Sequence, residues 1–277
     1  MGFITKLDIS TSCDFGSQMS QYASMVAISK KTGLDILFIK EYIKQKWGFP
    51  LNEPFKTNFK ILSIEDIHGT DIYDVDIDPT QQIDERLFYL DSNQNYNLSG
   101  IFNTYDIFHP IKEDILNIFA FKDEIKEFCL EYISNIKQKD EILVSIHFRR
   151  GDYLQVSSLN LSLDYYKEAV NIIQATFPNQ KIKYLVFSNG IDWVKENFKL
   201  DNCIYVENLD RFKGMCLMAL CDHNIIANST FSWWGAYLNQ NPNKKIICPY
   251  NYLDFPPLNN MINGKYFPID WTPINTH

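Results

Sequence analysis

No Cys-x-x-Cys pair occurs among the six cysteines, so the usual spacing of a structural zinc site is missing. Most of these cysteines sit in apolar runs, which predicts buried free thiols in a reducing compartment. Basic charge is also short. The formal net charge is −8, whereas a nucleic-acid binder needs a basic stripe, so no nucleic-acid partner is expected. No apolar run approaches the roughly 18 residues of a membrane span. The amino terminus lacks a basic segment followed by an apolar core, so no signal peptide is expected and the protein is placed in the cytoplasm. In that setting the Asn-x-Ser/Thr sequons at Asn97, Asn160 and Asn228 carry no meaning. No Gly-x-Gly-x-x-Gly follows a strand, which sets a dinucleotide-dependent oxidoreductase low. Internal repeats and low-complexity tracts are absent.

What is present suits a large core. The chain has 277 residues, 45% of them hydrophobic and 15% aromatic. Phe3 to Ile9 alternates like a strand, and a loop from Ser10 to Gly16 follows. Met19, Tyr22, Ala23, Val26 and Ala27 recur at helical spacing, with Gly33 placed to stop the helix. Asp35 to Ile39 reads as a second strand, and Lys60 to Ile64 as another. Asp74 to Asp78 holds Asp-x-Asp pairs of the kind that bind a metal with a nucleotide diphosphate. No apolar strand precedes them and Pro79 follows, so a solvated loop and no metal site are predicted. Ile111 to Ile136 reads as helical. The charged stretch Lys137 to Glu141 is the expected domain boundary, dividing residues 1–138 from 139–277.

The second half alternates short strands and helices, the signature of a doubly wound parallel sheet. Strands are expected over Ile142 to Phe148, Ile182 to Phe187, Cys203 to Val206, His223 to Ala227 and, as the last, Lys245 to Cys248. Three strand ends carry the polar residues, and ligands bind open α/β sheets outside such ends. The first offers His147, Arg149, Arg150 and Asp152. Two guanidiniums there suit a phosphate, although a plain Arg–Asp152 ion pair fits as well. The second offers Ser188 and Asn189, suited to a base or ribose. The third offers Asn228, Ser229, Thr230 and Ser232 at a helix start, where hydroxyls and free N–H groups can cap the helix or hold an anion. Gly16, Ser17 and Gln18 open the first helix and invite close backbone approach, or form an ordinary turn.

These blocks together carry a resemblance. His147-Phe-Arg149-Arg150-Gly151-Asp152-Tyr153 resembles the HxRRGDY motif of bacterial α-1,2-fucosyltransferases, glycosyltransferase family eleven. Phe187-Ser-Asn-Gly-Ile-Asp-Trp193 is similar to that family's FSDD-x-x-W segment. Asn228-Ser-Thr-Phe-Ser-Trp-Trp-Gly235 resembles its NSSFSWWGA block, Phe267-Pro-Ile-Asp-Trp271 its closing segment, and Gly16-Ser-Gln-Met-Ser-Gln-Tyr22 its GNQMFQY. The five blocks fall in the expected order across nearly the whole chain. Two departures stand out: Ser17 replaces an Asn, and Asn189 replaces the first Asp of FSDD.

The resemblance implies a GT-B-like α/β fold of two Rossmann-like halves, the first binding the acceptor and the second the donor. It implies GDP-β-L-fucose as donor and transfer with inversion to the 2-hydroxyl of a terminal β-galactoside. No cofactor and no metal are expected. The acceptor would be an oligosaccharide or a lipid-linked glycan, the latter bringing peripheral membrane association. By the same resemblance Arg149 faces the diphosphate, while strand alternation puts Arg150 on the other face, bracing Asp152. Asp14 is the nearest candidate for the base, and His147 is expected to shape the strand end or touch the ribose. Two alternatives remain open: a related transferase using another nucleotide sugar, and a nucleotide-sugar binding protein without turnover.

Overall fold

The computed structural model describes residues 2–77, 84–100, 105–156, 159–250 and 266–275. They fall into two compact units, Met1–Ala120 with Gly264–Tyr266, and Phe121–Asn263 with Phe267–His277.

The first unit is built on four parallel strands: β1 (Phe3–Thr5), β2 (Asp35–Ile36), β5 (Tyr73–Asp76) and β6 (Tyr96–Ser99), in the order β2-β1-β6-β5. A separate parallel pair joins β3 (Phe38–Ile39) to β4 (Ile61–Leu62). The strand expected over Phe3 to Ile9 stops at Thr5, and Ile9–Ser12 forms a short helix, α1. The cause is Lys6. Its side chain is fully buried, with the ammonium donating to Asp8 Oδ1 and to the carbonyls of Leu98 and Gly100. A buried charge needs such partners, so the chain turns there instead of extending.

The expected strand Asp35 to Ile39 is split in the same way. Leu37 N–H donates to Ile4 O, and Phe38 N–H turns to Lys60 O, so the run serves two sheets. The acidic stretch expected to be a solvated loop is an edge strand over Asp74 to Asp76. Asn97 Nδ2 donates to Asp74 Oδ1 at 2.7 Å and Ser99 Oγ to Asp76 Oδ1 at 2.8 Å, a side-chain ladder across paired residues. Asp78 and Pro79 lie outside the described residues. Helix α2 (Phe15–Thr32) is buried along most of its length. Asp14 caps its start and Gly33, at φ +80°, closes it in the left-handed conformation that glycine adopts freely.

The helical stretch expected from Ile111 is interrupted. Helix α3 (Lys112–Ile118) ends where Thr57 Oγ1 donates to Ile118 O and Lys56 N–H to Ala120 O, which diverts the carbonyls a continuing helix would need. Helix α4 (Asp123–Ile136) then belongs to the second unit. Its Ile125 and Cys129 pack with Cys216, Leu217 and Met218, so the two units divide at Ala120, before the charged Lys137 to Glu141 stretch.

The second unit carries six parallel strands: β7 (Glu141–Phe148), β8 (Lys181–Ser188), β9 (Cys203–Tyr205), β10 (His223–Ile225), β11 (Ile246–Pro249) and β12 (Thr272–Ile274). Their order is β12-β11-β10-β7-β8-β9. The last strand is therefore β12 and not β11. Pro273 argues against a strand in sequence, yet an edge tolerates the missing N–H. Period-two alternation sorts the side chains of β7. Val144, Ile146 and Phe148 pack under α5 (Leu163–Thr176) and α6 (Ile191–Asn197), whereas Leu143 faces α4 and α7 (Arg211–Leu220). Helices thus cover both faces, as a doubly wound sheet requires. Each fully buried branched side chain contributes about 1.5–3 kcal/mol. A final helix, α8 (Thr230–Tyr237), follows β10.

Candidate functional site

The strand order reverses between β7 and β10. From β7 the chain winds outward through β8 and β9, then returns to β10 and winds the other way. Ligand crevices in open α/β sheets form at such a switch point, outside the carboxyl ends of the two strands. The register sets Ile146 of β7 beside Ile225 of β10, so the segments after each strand emerge next to one another. They contain Arg149 to Asp152 on one side and Asn228 to Ser232 on the other. Tyr153 Oη, from the 3₁₀ turn Gly151–Gln155, donates to Asn228 O at 3.1 Å and bridges the two.

Arg149 is the central charge. Its Nη2 lies 2.9 and 3.0 Å from the two Asp152 oxygens, and its guanidinium sits 5.1 Å from the centre of the Tyr153 ring. Its Nε is buried and has no hydrogen-bond partner. This corrects the expected pairing: Arg149, not Arg150, holds Asp152. β7 ends at Phe148, so strand alternation no longer governs the two arginines. Arg150 instead lies flat over Trp193, 3.2 Å from its ring centre.

Asn189 fixes the turn. Its Oδ1 accepts from Arg150 N–H at 2.7 Å and its Nδ2 donates to Arg150 O at 3.3 Å, so both amide arms extend the β7–β8 pairing by one residue. Gly151 is needed beside it. Its φ is +58°, and a Cβ there would stand 2.5 Å from Asn189 Nδ2. Ser188 Oγ accepts from Gly190 N–H at 3.0 Å. Gly190 occupies the second Asp of the FSDD pattern, and a Cβ there would meet Arg150 Cβ at 3.2 Å.

His147, one residue before the end of β7, is buried on the face where Phe231 of α8 packs, with ring centres 5.6 Å apart. Burial first, and the charge of Arg149 second, lower its pKa to about 3, so the imidazole is neutral near pH 7. Its Nδ1 has no partner, and its carbonyl accepts from Tyr166 Oη.

The start of α8 departs from the expected capping. Ser229 holds the N-cap position, but its side chain makes no cap hydrogen bond. Ser232 Oγ turns back to accept from Ala227 N–H at 3.2 Å, tying the helix to β10. Ser229 and Thr230 are both buried. Asn228 Nδ2 donates to Leu159 O, while its Oδ1 is buried without a partner.

In the first unit, Asp14 Oδ1 accepts from Ser17 N–H at 3.1 Å as the cap of α2. Gly16 and Ser17 lie in that helix's first turn. Gln18 is buried, with Nε2 donating to the carbonyls of Cys13 and Gly48 and Oε1 unpartnered.

Sequence reasoning gave no role to Tyr153, Trp193 or Asn160. Asn160 counted only as a sequon, yet its Nδ2 donates to Tyr153 O at 2.9 Å. Tyr153 and Trp193 stand inside motif blocks, and that was the signal available. Among the described residues no group of three or more His, Cys, Asp or Glu is arranged to hold a metal ion, and no helix is long and apolar enough to cross a membrane.

The model of the family described as Glycosyl transferase family 11 matches residues 2–275. The O-antigen biosynthesis glycosyltransferase WbnK of Escherichia coli is 31% identical over 171 residues, 58% of this chain and 56% of that protein. The galactoside alpha-(1,2)-fucosyltransferase 1 of Leontocebus fuscicollis is 25% identical over 240 residues, 81% of this chain and 63% of that protein. The chain thus spans less than two thirds of the length of these relatives. Among solved structures, the fucosyltransferase NodZ from Bradyrhizobium matches with a TM-score of 0.56 at 12% identity, over 84% of this chain and 91% of that one. POFUT1 in complex with GDP-fucose matches with a TM-score of 0.55 at 13% identity, over 89% and 97%. These likenesses are of fold, and the fold is GT-B-like.

Proposed function

Because the chain belongs to glycosyltransferase family 11, we propose that it moves L-fucose from GDP-β-L-fucose to the 2-hydroxyl of a terminal β-galactoside, with inversion. The observation that carries this reading is Arg149, a forked cation at the switch point of a doubly wound sheet with a buried, unpartnered Nε. Its present partner, Asp152, has a side chain 62% exposed, so an arriving diphosphate can take its place at little cost. The name of the α-(1,2)-fucosyltransferase relative and the GDP-fucose bound in the POFUT1 structure support the same donor and bond.

The chemistry follows from charge. The bond between fucose C1 and the β-phosphate oxygen breaks, and negative charge grows on that oxygen. Arg149 is placed to receive it, together with the N–H groups opening α8. The acceptor hydroxyl forms the new bond from the opposite side of C1 and gives up its proton. We assign the base to Asp14, and the acceptor to the first unit. His147, neutral and enclosed, shapes the end of β7 and takes no proton near pH 7. No metal enters this scheme.

The test is an acceptor array with GDP-fucose, read by product mass. An added fucose on β-galactosides carrying a free 2-hydroxyl is expected. Absence of product across the array, with GDP bound in calorimetry, would leave a nucleotide-sugar binding protein. Ser17 and Asn189, the two departures from the family pattern, permit one further reading, in which another nucleotide sugar serves. Turnover with a donor other than GDP-fucose in a donor panel would establish it.

A further inference from the structure

We propose that Tyr153 is a positioning residue, holding the Arg149 guanidinium in place while its anionic partner exchanges. The inference rests on the reading of Arg149 as the diphosphate-binding cation.

Two described residues bear on the Arg149 guanidinium, Asp152 and Tyr153. Asp152 is exposed, and an exposed ion pair is a weak tether, worth about 0–1 kcal/mol. It is also the partner a diphosphate would displace. The second neighbour is the Tyr153 ring, 5.1 Å from the guanidinium carbon and within the range of a cation–π contact. An incoming anion does not compete for a ring face. The ring therefore keeps its hold when the carboxylate leaves.

Tyr153 is itself held by hydrogen bonds from its backbone and its side chain. Its N–H donates to Arg150 O at 3.1 Å, which closes the turn. Asn160 Nδ2 donates to its carbonyl at 2.9 Å. Its hydroxyl donates to Asn228 O at 3.1 Å, across the switch point. The last bond reaches the segment that leads into α8. One side chain thus links the cation after β7 to the helix start after β10, the two sources of positive potential proposed for the diphosphate.

The two parts of the side chain can be separated. Tyr153→Phe keeps the ring and removes the bond to Asn228. Tyr153→Leu removes both. We expect Tyr153→Phe to raise the donor KM several-fold with kcat within about threefold of the parent. Tyr153→Leu should also lower kcat, by tenfold or more. A purely structural role would lower the melting temperature of both variants and leave the kinetics of the folded fraction alone.

The decisive measurement is a double-mutant cycle with Arg149→Ala, read by GDP-fucose turnover and by calorimetric binding of GDP and of inorganic pyrophosphate. If Tyr153 acts through Arg149, Tyr153→Leu costs less than twofold in the Arg149→Ala background. An active parent with additive losses overturns the role of Tyr153 and leaves the fucosyltransferase reading standing. A parent that binds GDP and pyrophosphate with a non-additive cycle, yet never turns over GDP-fucose, keeps Tyr153 and removes that reading. A parent that binds neither anion overturns both.

Discussion

Arg149 and Arg150 are adjacent in sequence and have different work. Arg149 pairs with the exposed Asp152 and keeps a buried Nε without a partner, while Arg150 is spent on Trp193 and on the turn that Asn189 clamps. Arg149→Ala is therefore expected to lose roughly 3 kcal/mol of barrier lowering, the scale of one lost transition-state donor. Arg149→Lys should fail as well, because a point charge does not replace a planar fork. Arg150→Ala should show its main effect in melting temperature, through the lost stacking on Trp193. Turnover, GDP affinity and melting measured side by side decide this. A dead but well-folded Arg150→Ala beside a nearly normal Arg149→Ala would reverse the assignment. Asp14 allows a cleaner substitution, since Asn caps a helix about as well as Asp. Asp14→Asn should keep the fold and lose on the order of a hundredfold or more in kcat if Asp14 is the base. Parent-like turnover would return Asp14 to its capping role alone. His147 carries a pH signature. Its folded pKa of about 3 lies below the unfolded value near 6.5, so the unfolded chain binds the extra proton between them. The stability it contributes is complete above about pH 6.5 and is lost as pH falls toward 3, at up to about 1.4 kcal/mol per pH unit. His147→Gln should flatten the dependence of melting temperature on pH in that window, and an unchanged slope would mean that His147 is not enclosed. At this scale the sequence brought out residues that the structure draws together after β7 and β10, but not their pairings. Arg149 and Arg150 look equivalent in a motif, and only the end of β7 at Phe148 and the position of Trp193 divide their roles.

Elements were legible where one period ran unbroken between stop signals. β7 and β8 lie within a residue or two of their expected bounds because apolar spacing and tertiary burial agree. Several of the failures come from backbone or side-chain groups that divert the chain. Lys6 bends the first strand, Thr57 and Lys56 end α3, and Asn97 and Ser99 draw an acidic stretch into a sheet. Apart from Asp8, which pairs with Lys6, these partners are far apart in sequence, so no local pattern reports them. The start of α8 follows the same logic. Ser229 stands at the cap but caps nothing with its side chain, and Ser232 does the tying. Ser229→Ala should therefore cost well under the roughly 1 kcal/mol of a lost cap. Any weakening of GDP binding in that variant would then report a contact with ligand. A full cap-sized loss of stability with unchanged GDP affinity would show that the hydroxyl serves the helix after all.

For the whole molecule, alternating strand and helix patterns pointed to the parallel sheet of the second unit, the resemblance implied two α/β halves, and the fold of similar solved structures agrees. Less legible was where charge stabilisation resides. With a net charge of −8 the chain as a whole repels a nucleotide diphosphate, so positive potential has to be local. Besides the helix start at Asn228 to Ser232, two sources of full charge were conceivable from sequence: the arginines after β7, or a metal held by the Asp-x-Asp stretch. The structure commits the second stretch elsewhere. Asp74 and Asp76 each accept a short hydrogen bond from β6, and those bonds fasten β5 to the edge of the first unit's sheet. Drawing both carboxylates onto a cation would break that ladder and free the strand, so binding there would have to offset the loss of an element. Arg149 needs no such rearrangement. Turnover is accordingly expected to be insensitive to EDTA, and Mg²⁺ or Mn²⁺ should leave both rate and melting temperature unchanged. The control is Asp74→Asn with Asp76→Asn, which keeps acceptors for the ladder while removing the charge. That variant should retain parent turnover. Loss of activity in EDTA, restored by metal in the parent but not in the double variant, would move the diphosphate's counter-charge from Arg149 to β5.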